Sequence, residues 1–289
     1  MNPRTDLALE VHETSPSPYP GVDCEELSLE SAKITRIQVM NQQGSQAIGK
    51  PIGNYITIEV PPFSDETAAD DTRRSAITVE LKRMLPETGA ILIAGLGNDR
   101  ITPDALGPQT VERLLATRHI SKELSQSLGL GELRPVSVIA PGVLGKTGIE
   151  TAELIKGVVD QVSPAAVIVI DALASRRLSR LGCTVQLCDA GIIPGSGVGN
   201  QRQEINQHTL GVPVVALGVP TVVDVVTLAN DLLTQNDSAN PSLPQESSHM
   251  MVTPREIDTV IAHAADLVAL SINCALHPHL SPELITALV

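Results

Sequence analysis

Short apolar runs alternate with glycine- and proline-rich loops and with helical patterns through most of this 289-residue chain. Each run is a few residues long and apolar at successive positions, which is typical of strands buried on both faces of a sheet. The predicted strands cover residues 91–94, 136–140, 166–170, 184–187 and 214–217. Because helical patterns follow most of them, the rhythm predicts an α/β fold, a three-layer α/β/α domain with a mostly parallel sheet.

Three other stretches depart from this rhythm. Residues 1–23 contain closely spaced prolines and are predicted to form an N-terminal arm, followed by one domain over residues 24–289. Within that domain, residues 34–60 alternate between apolar and polar positions, which predicts a small N-terminal β-hairpin embellishment. Residues 235–249 are rich in Ser, Asn and Pro, so we expect a flexible loop there.

Local sequence signals locate the starts of two helices. The ring of Pro108 clashes with the carbonyl group four residues earlier, so Asp104 cannot lie in the same helix interior. Gly107 is the expected N-cap, with Pro108 as the first helical residue. Asp104 is therefore expected on a loop at the carboxyl end of a strand, where α/β sheets build their sites. Thr221 is the expected cap of a later helix, because Asp224 follows it three positions on.

The composition limits what the domain can bind. The chain contains no Trp, one Phe and two Tyr, so it offers few rings on which bases could stack. Its formal net charge of −13 is unfavourable for binding a phosphate backbone, and no nucleic-acid partner is expected. The first ten residues lack the apolar segment of a signal peptide, and no run is long enough to suggest a membrane span. We therefore expect a cytoplasmic protein without a membrane partner.

Two glycine-rich loops raise the question of nucleotide binding. Gly95 and Gly97 are followed by Arg100 at the position where the dinucleotide fingerprint needs a third glycine. In the next loop, Gly142 is too close to Gly145 for the spacing of a phosphate loop. We expect these glycines to form tight turns, and a nucleotide-binding module is the weaker alternative.

Two aspartates follow predicted strands and could form an acid–base pair. Asp104 comes after the first strand of the core, and Asp171 directly ends the third. If the strands are neighbours, both carboxylates face one crevice, where like charges raise one pKa and the pair shares a proton. Such a pair supplies a general base for water and a general acid for the leaving amine of a peptide bond. The same residues could bind a metal, or each could cap backbone N–H groups.

Several motifs, in order along nearly the whole chain, resemble the germination protease family. They include Arg4-Thr5-Asp6-Leu7-Ala8, Gly95-Leu96-Gly97-Asn98, Thr102-Pro103-Asp104-Ala105-Leu106-Gly107-Pro108, Pro141-Gly142-Val143, Ile170-Asp171-Ala172-Leu173-Ala174 and Pro194-Gly195-Ser196-Gly197-Val198-Gly199-Asn200. The resemblance implies a fold similar to that of the hydrogenase maturation proteases, which bind nickel at a matching loop. It implies that Asp104 and Asp171 are the catalytic residues. The site loops that match are those of Gly97, Asn98, Gly142, Gly195, Ser196 and Gly197.

The resemblance also implies an activity. Members of the family are endopeptidases that degrade small acid-soluble spore proteins during germination, inside the forespore or spore core. They are made as zymogens, form homotetramers and cleave their own N-terminus, and the matching motif places that cleavage at the Asp6–Leu7 bond. No cofactor is implied. The alternative is a metal-dependent peptidase, or a metal-binding protease like the hydrogenase maturation enzymes, with the same acids as ligands.

The N-terminal arm acquires a role from this resemblance. A segment that resembles the substrate and is tethered to the enzyme meets the site at a high effective concentration. We therefore expect the arm to occupy the site, and protonation of the acids to couple its cleavage to falling pH.

Overall fold

The computed structural model describes residues 5–13, 20–29, 31–64, 71–196, 199, 202–234 and 250–289. Its strands are β1 (Val22–Ser28), β2 (Lys33–Val39), β3 (Gly53–Glu59), β4 (Ile91–Gly95), β5 (Val136–Ile139), β6 (Ala166–Ser175), β7 (Thr184–Cys188), β8 (Val214–Asp224) and β9 (Met251–Val252). Its helices are α1 (Ala8–Glu13), α2 (Gln42–Ile48), α3 (Asp71–Met84), α4 (Leu106–Val111), α5 (Lys122–Ser127), α6 (Leu144–Thr147), α7 (Thr151–Val162), α8 (Gln207–Leu210), α9 (Val225–Thr234), α10 (Ile257–Leu276) and α11 (Pro282–Leu288). The loop predicted over 235–249 lies outside the described residues.

The strands form one sheet in the order β1-β2-β3-β7-β8-β6-β4-β5, and β9 pairs with β8. Strands β5, β4, β6 and β8 are parallel, whereas β1, β2, β3 and β7 join them through antiparallel pairs. The α/β class is confirmed, but the sheet is mixed rather than mostly parallel. Residues 176–183 are too few for the crossover that parallel strands need, so β7 runs back against the parallel strands.

The two strands predicted within residues 34–60 are β2 and β3. They pair antiparallel with each other, and β3 pairs with β7. Both strands therefore extend the central sheet rather than forming a separate hairpin, because their backbone hydrogen bonds are continuous with those of the core. Helix α2 lies between them in the chain.

Helices cover both faces of the sheet. On one face, Ile91 and Ile93 of β4 pack with α3, α4 and α10. On the other face, Leu92 and Ala94 pack with α7 and α8. Leu9 of α1 packs on that second face, farther along the sheet, against residues of β2 and β3. This arrangement is the predicted three-layer architecture, since alternate residues of a strand point to opposite sides.

The expectation that no segment is long enough to cross a membrane is wrong for helix α10. It is 20 residues long and, by length and composition alone, apolar enough to do so. However, 61% of its most apolar stretch is buried inside the protein, against α3 and α4. Burial in the core accounts for its apolar composition.

Both predicted helix starts differ from the structure. Helix α4 begins at Leu106, so Pro108 is its third residue, a position whose N–H has no partner in the helix anyway. Strand β8 continues to Asp224, which caps α9 by accepting a hydrogen bond from Thr227 N at 2.9 Å. Thr221 lies in the strand and donates from Oγ1 to Pro103 O at 2.8 Å.

Candidate active site

Asp104 lies on a 3-10 turn, Thr102–Asp104, between β4 and α4. Its Oδ2 accepts a hydrogen bond from Asn98 N at 2.8 Å, which fixes the carboxylate against the loop that leaves β4. Gly97 makes this approach possible, because it has a φ of 110° and a Cβ there would lie 2.0 Å from Asp104 O. The loop sequence therefore holds Asp104 at the carboxyl end of the parallel strands.

Asp171 lies inside β6 rather than at its end. The strand continues to Ser175 because β8 pairs with it as far as Val223. Asp171 is nevertheless one position beyond the end of β4, whose last residue, Gly95, pairs with Ile170. Its side chain is buried, and Oδ1 accepts from Ala172 N at 3.0 Å. The longer strand gives this acid a rigid backbone.

The two acids are in unequal environments. Burial raises the pKa of Asp171 well above its ordinary value, and the charges of Asp104 and Asp6 raise it further. Burial also raises the pKa of Asp104, but the hydrogen bond from Asn98 N opposes that rise. Asp171 therefore has the stronger tendency to retain its proton, and Asp104 ionises more readily.

Both acids line a cavity of about 520 Å³. The other predicted site residues that line it are Gly97, Asn98, Gly142, Gly195 and Ser196. Gly197 lies outside the described residues. Asp6 also lines this cavity, so the structure brings the residue before the predicted cleavage bond to the same space as the two acids.

Asp6 is held by both its backbone and its side chain. Its N–H donates to Ala174 O at 2.9 Å, and its Oδ2 accepts from Ala174 N at 2.8 Å. Its Oδ1 accepts from Ser196 Oγ at 2.8 Å. The next residue, Leu7, has no exposed surface. The arm is therefore packed into the site in one defined orientation.

Two residues that the sequence did not identify hold the carbonyl group of Asp6. Lys50 Nζ donates to Asp6 O at 3.0 Å, and Gln186 Nε2 donates to the same oxygen at 3.1 Å. Both residues line a second cavity of about 320 Å³, which also borders Asp6 and Ser196. For Gln186 the sequence offers one signal, a polar residue inside the apolar run of β7. For Lys50 it offers none, because Lys50 lies in a turn-rich stretch without a motif.

The helix that follows Leu7 is anchored by charge as well as by packing. Glu10 is buried and accepts from Arg176 N at 2.6 Å and from Arg177 N at 2.9 Å. Arg180 Nη2 donates to Glu13 Oε1 at 2.8 Å. These contacts fix α1 to the chain that leaves β6, directly after the strand that carries Asp171.

Within the part of the chain that the structure describes, no cluster of three or more His, Cys, Asp or Glu side chains is arranged to hold a metal ion. Asp6, Asp104 and Asp171 share a cavity without forming such a cluster. The charges of Asp104 and Asp6 both act on Asp171, in the direction that raises its pKa.

Comparisons with known proteins find similarity along most of the chain. A family model described as "Germination protease" matches residues 5–235. A germination protease of Caldanaerobacter subterraneus subsp. tengcongensis is 42% identical over 97% of this chain and 96% of that protein. A germination protease of Priestia megaterium is 36% identical over 97% of this chain and 95% of that protein. Among solved structures, the NiFe hydrogenase maturation protease HycI from Thermococcus kodakarensis is similar over 67% of this chain and 98% of that chain, with a TM-score of 0.39 and 18% identity.

Proposed function

Because the chain belongs to the germination protease family and is therefore a peptidase, we propose that it is an endopeptidase that degrades small acid-soluble spore proteins during germination. The observation that carries the proposal is the pair of acids in one cavity, Asp104 and Asp171, whose pKa values are raised to different extents. Unequal carboxyl groups of this kind divide the roles of base and acid between them.

In the proposed mechanism, Asp104 is the general base and Asp171 is the general acid. Asp104 takes a proton from the water that attacks the peptide carbonyl carbon, and Asp171 gives its proton to the leaving amine. Their surroundings support these roles, since Asn98 N stabilises the ionised form of Asp104, whereas burial raises the pKa of Asp171 and so favours its protonated form. The rigid pairing of β6 with β4 and β8 holds the acid in place.

We further propose that the chain is a zymogen whose arm is cut at the Asp6–Leu7 bond. The support is the position of Asp6, which borders the cavity of the two acids and is held there by Ala174 and Ser196. While Asp6 is in place, a protein substrate cannot occupy the same space. The mature enzyme is proposed to act as a homotetramer in the spore core.

The test is digestion of a small acid-soluble spore protein by the wild type, Asp104→Asn and Asp171→Asn, with appearance of cut fragments followed by mass spectrometry. We expect each variant to lose about 10²–10⁴-fold in rate, because each lacks one proton-transfer group. Asp160→Asn is the matched control, since Asp160 lies on α7 and pairs with Lys156. Full activity in either site variant would remove that residue from the mechanism.

A chelator distinguishes the alternative in which the same acids bind a metal. We expect the digestion rate to be unchanged after extensive treatment with a chelator. Loss of activity that is restored by a divalent cation would replace the acid–base mechanism with a metal-dependent one.

A further inference from the structure

The proposed roles of Asp104 and Asp171 leave the carbonyl oxygen of the cleaved bond without a hydrogen-bond donor. Addition of water to a peptide carbonyl places negative charge on the carbonyl oxygen, and enzymes stabilise that charge with preorganised donors. In the proposed mechanism Asp104 is ionised and can only accept a hydrogen bond, and the proton of Asp171 passes to the leaving amine. A different group is therefore needed to stabilise the charge on the carbonyl oxygen.

Lys50 and Gln186 meet this requirement at the Asp6 carbonyl. Their nitrogen atoms lie 3.0 and 3.1 Å from Asp6 O, which are normal distances for a hydrogen bond. Lys50 Nζ also donates to Thr5 O at 3.1 Å, so its position is fixed by two carbonyl groups. Burial lowers the pKa of Lys50, and the charge of Asp6 opposes that shift.

The rest of Asp6 is held so that its carbonyl points at these donors. Ala174 pairs with its N–H and with one carboxylate oxygen, and Ser196 donates to the other. On the far side of the bond, Gln186 Oε1 accepts from Ala8 N at 2.9 Å. Gln186 therefore contacts the chain on both sides of the Asp6–Leu7 bond.

We propose that Lys50 and Gln186 bind the carbonyl oxygen of the residue before the cleaved bond and stabilise the oxyanion that forms there. The proposal rests on the proposed function, in which the Asp6–Leu7 bond is cut. Water oxygen bonds to the carbonyl carbon, its proton passes to Asp104, and the carbonyl electron pair moves onto the oxygen that faces Lys50 Nζ. That pair then re-forms the C=O bond as the C–N bond breaks, and the proton of Asp171 passes to Leu7 N.

The test follows self-cleavage of the full chain at Asp6–Leu7 by mass spectrometry, in Lys50→Met, Lys50→Gln and wild type. We expect Lys50→Met to slow cleavage about 10²–10³-fold, the usual effect of losing one oxyanion donor. Lys50→Gln keeps a neutral N–H donor and is expected to fall between the other two. Lys156→Met is the control, because Lys156 pairs with Asp160 on α7, away from both cavities.

A second measurement separates catalysis from anchoring of the arm. Amide hydrogen exchange of residues 7–10 is expected to stay slow in Lys50→Met, because Leu7 and Leu9 are buried and Glu10 keeps its partners. Cleavage at the wild-type rate would overturn the proposal, and so would rapid exchange that shows a released arm. If Lys50→Met does not fold, Gln186→Met is judged by the same two measurements, with exchange followed at Leu9 and Glu10, because Gln186 itself accepts from Ala8 N.

Failure of the proposed function gives a different result. In that case the wild type itself leaves the Asp6–Leu7 bond intact and does not digest the spore protein. If the wild type cuts this bond while Lys50→Met cuts it equally fast, the peptidase function stands and the role of Lys50 and Gln186 falls.

Discussion

At the scale of single residues, the site depends on small differences in the surroundings of similar groups. Asp104 and Asp171 share a cavity, yet one accepts a backbone N–H that stabilises its charge, and the other is buried beside two further carboxylates. A buried acid of this kind is held at a cost to the folded state. Its removal therefore affects stability and activity in opposite directions.

Asp171→Asn is expected to stabilise the chain at neutral pH. The pKa of Asp171 is raised in the folded chain, so the folded state retains a proton that the unfolded state loses above about pH 4. The wild type therefore loses stability as pH rises from about 4 to the folded pKa, and the neutral asparagine does not. We expect the Tm of the variant to exceed that of the wild type by about 2–4 °C at pH 7, which corresponds to about 1 kcal/mol.

The same measurement near pH 4 tests the direction of this effect. There Asp171 is protonated in the folded chain and about half protonated in the unfolded chain, so the difference in Tm should shrink toward zero. Asp160→Asn, which changes a pairing on the surface, should shift the Tm little at either pH. A lower Tm for Asp171→Asn at pH 7 would contradict the assigned protonation state.

Gly97→Ala tests the turn that carries Asp104. The new Cβ would lie 2.0 Å from Asp104 O at a φ of 110°, so the turn must move and carry the carboxylate with it. Gly129→Ala is the matched control, since Gly129 has a φ of 70° but no atom within 4 Å of the added Cβ. We expect the control to lose about 1–2 kcal/mol of stability from backbone strain alone. Gly97→Ala should lose more, together with most of the peptidase activity.

Equal losses of stability in the two glycine variants would show that the close approach of Gly97 to Asp104 does not exist in solution. Both are measured by denaturant unfolding, and activity is measured on the same preparations. The comparison works because both positions share a positive φ and differ in what surrounds them.

At the scale of elements, α1 is part of the folded domain. It has only six residues, which is too short to be stable alone, so its packing must hold it. Leu7, Ala8 and Leu9 are almost completely buried, and Glu10 binds two backbone N–H groups of the chain after β6. Cleavage at Asp6–Leu7 would therefore release the residues before Leu7 and leave α1 attached.

Leu9→Ala is expected to lower the free energy of unfolding by about 2–5 kcal/mol, the range for truncating a buried Leu. Leu9 packs against Ile37, Val39 and Tyr55, so the variant leaves a cavity under α1. Leu128→Ala is the control, because Leu128 is 60% exposed at the end of α5. A cost for Leu9→Ala as small as that of the control would mean that α1 does not pack on the sheet in solution.

At the scale of the whole molecule, the sequence predicts what depends on local patterns and misses what depends on distant pairing. Short apolar runs identify the core strands, and the clash of the Pro108 ring with the carbonyl group four residues earlier keeps Asp104 out of the helix interior. The continuation of β6 past Asp171 depends on β8, more than forty residues later, which has no local signal. The same is true of Lys50 and Gln186, which meet at Asp6 because β3 and β7 pair across the sheet.

Asp6 borders both cavities, as do Leu173, Ile192, Ile193 and Ser196. Cutting the chain after Asp6 would untie the residues before it, and a short free peptide is diluted far below the effective concentration it had as a tether. The cavity lined by Lys50 and the cavity lined by Asp104 would then both lose Asp6 from their walls. Release of the residues before Leu7 would not reverse, because the freed peptide is no longer tethered to the site.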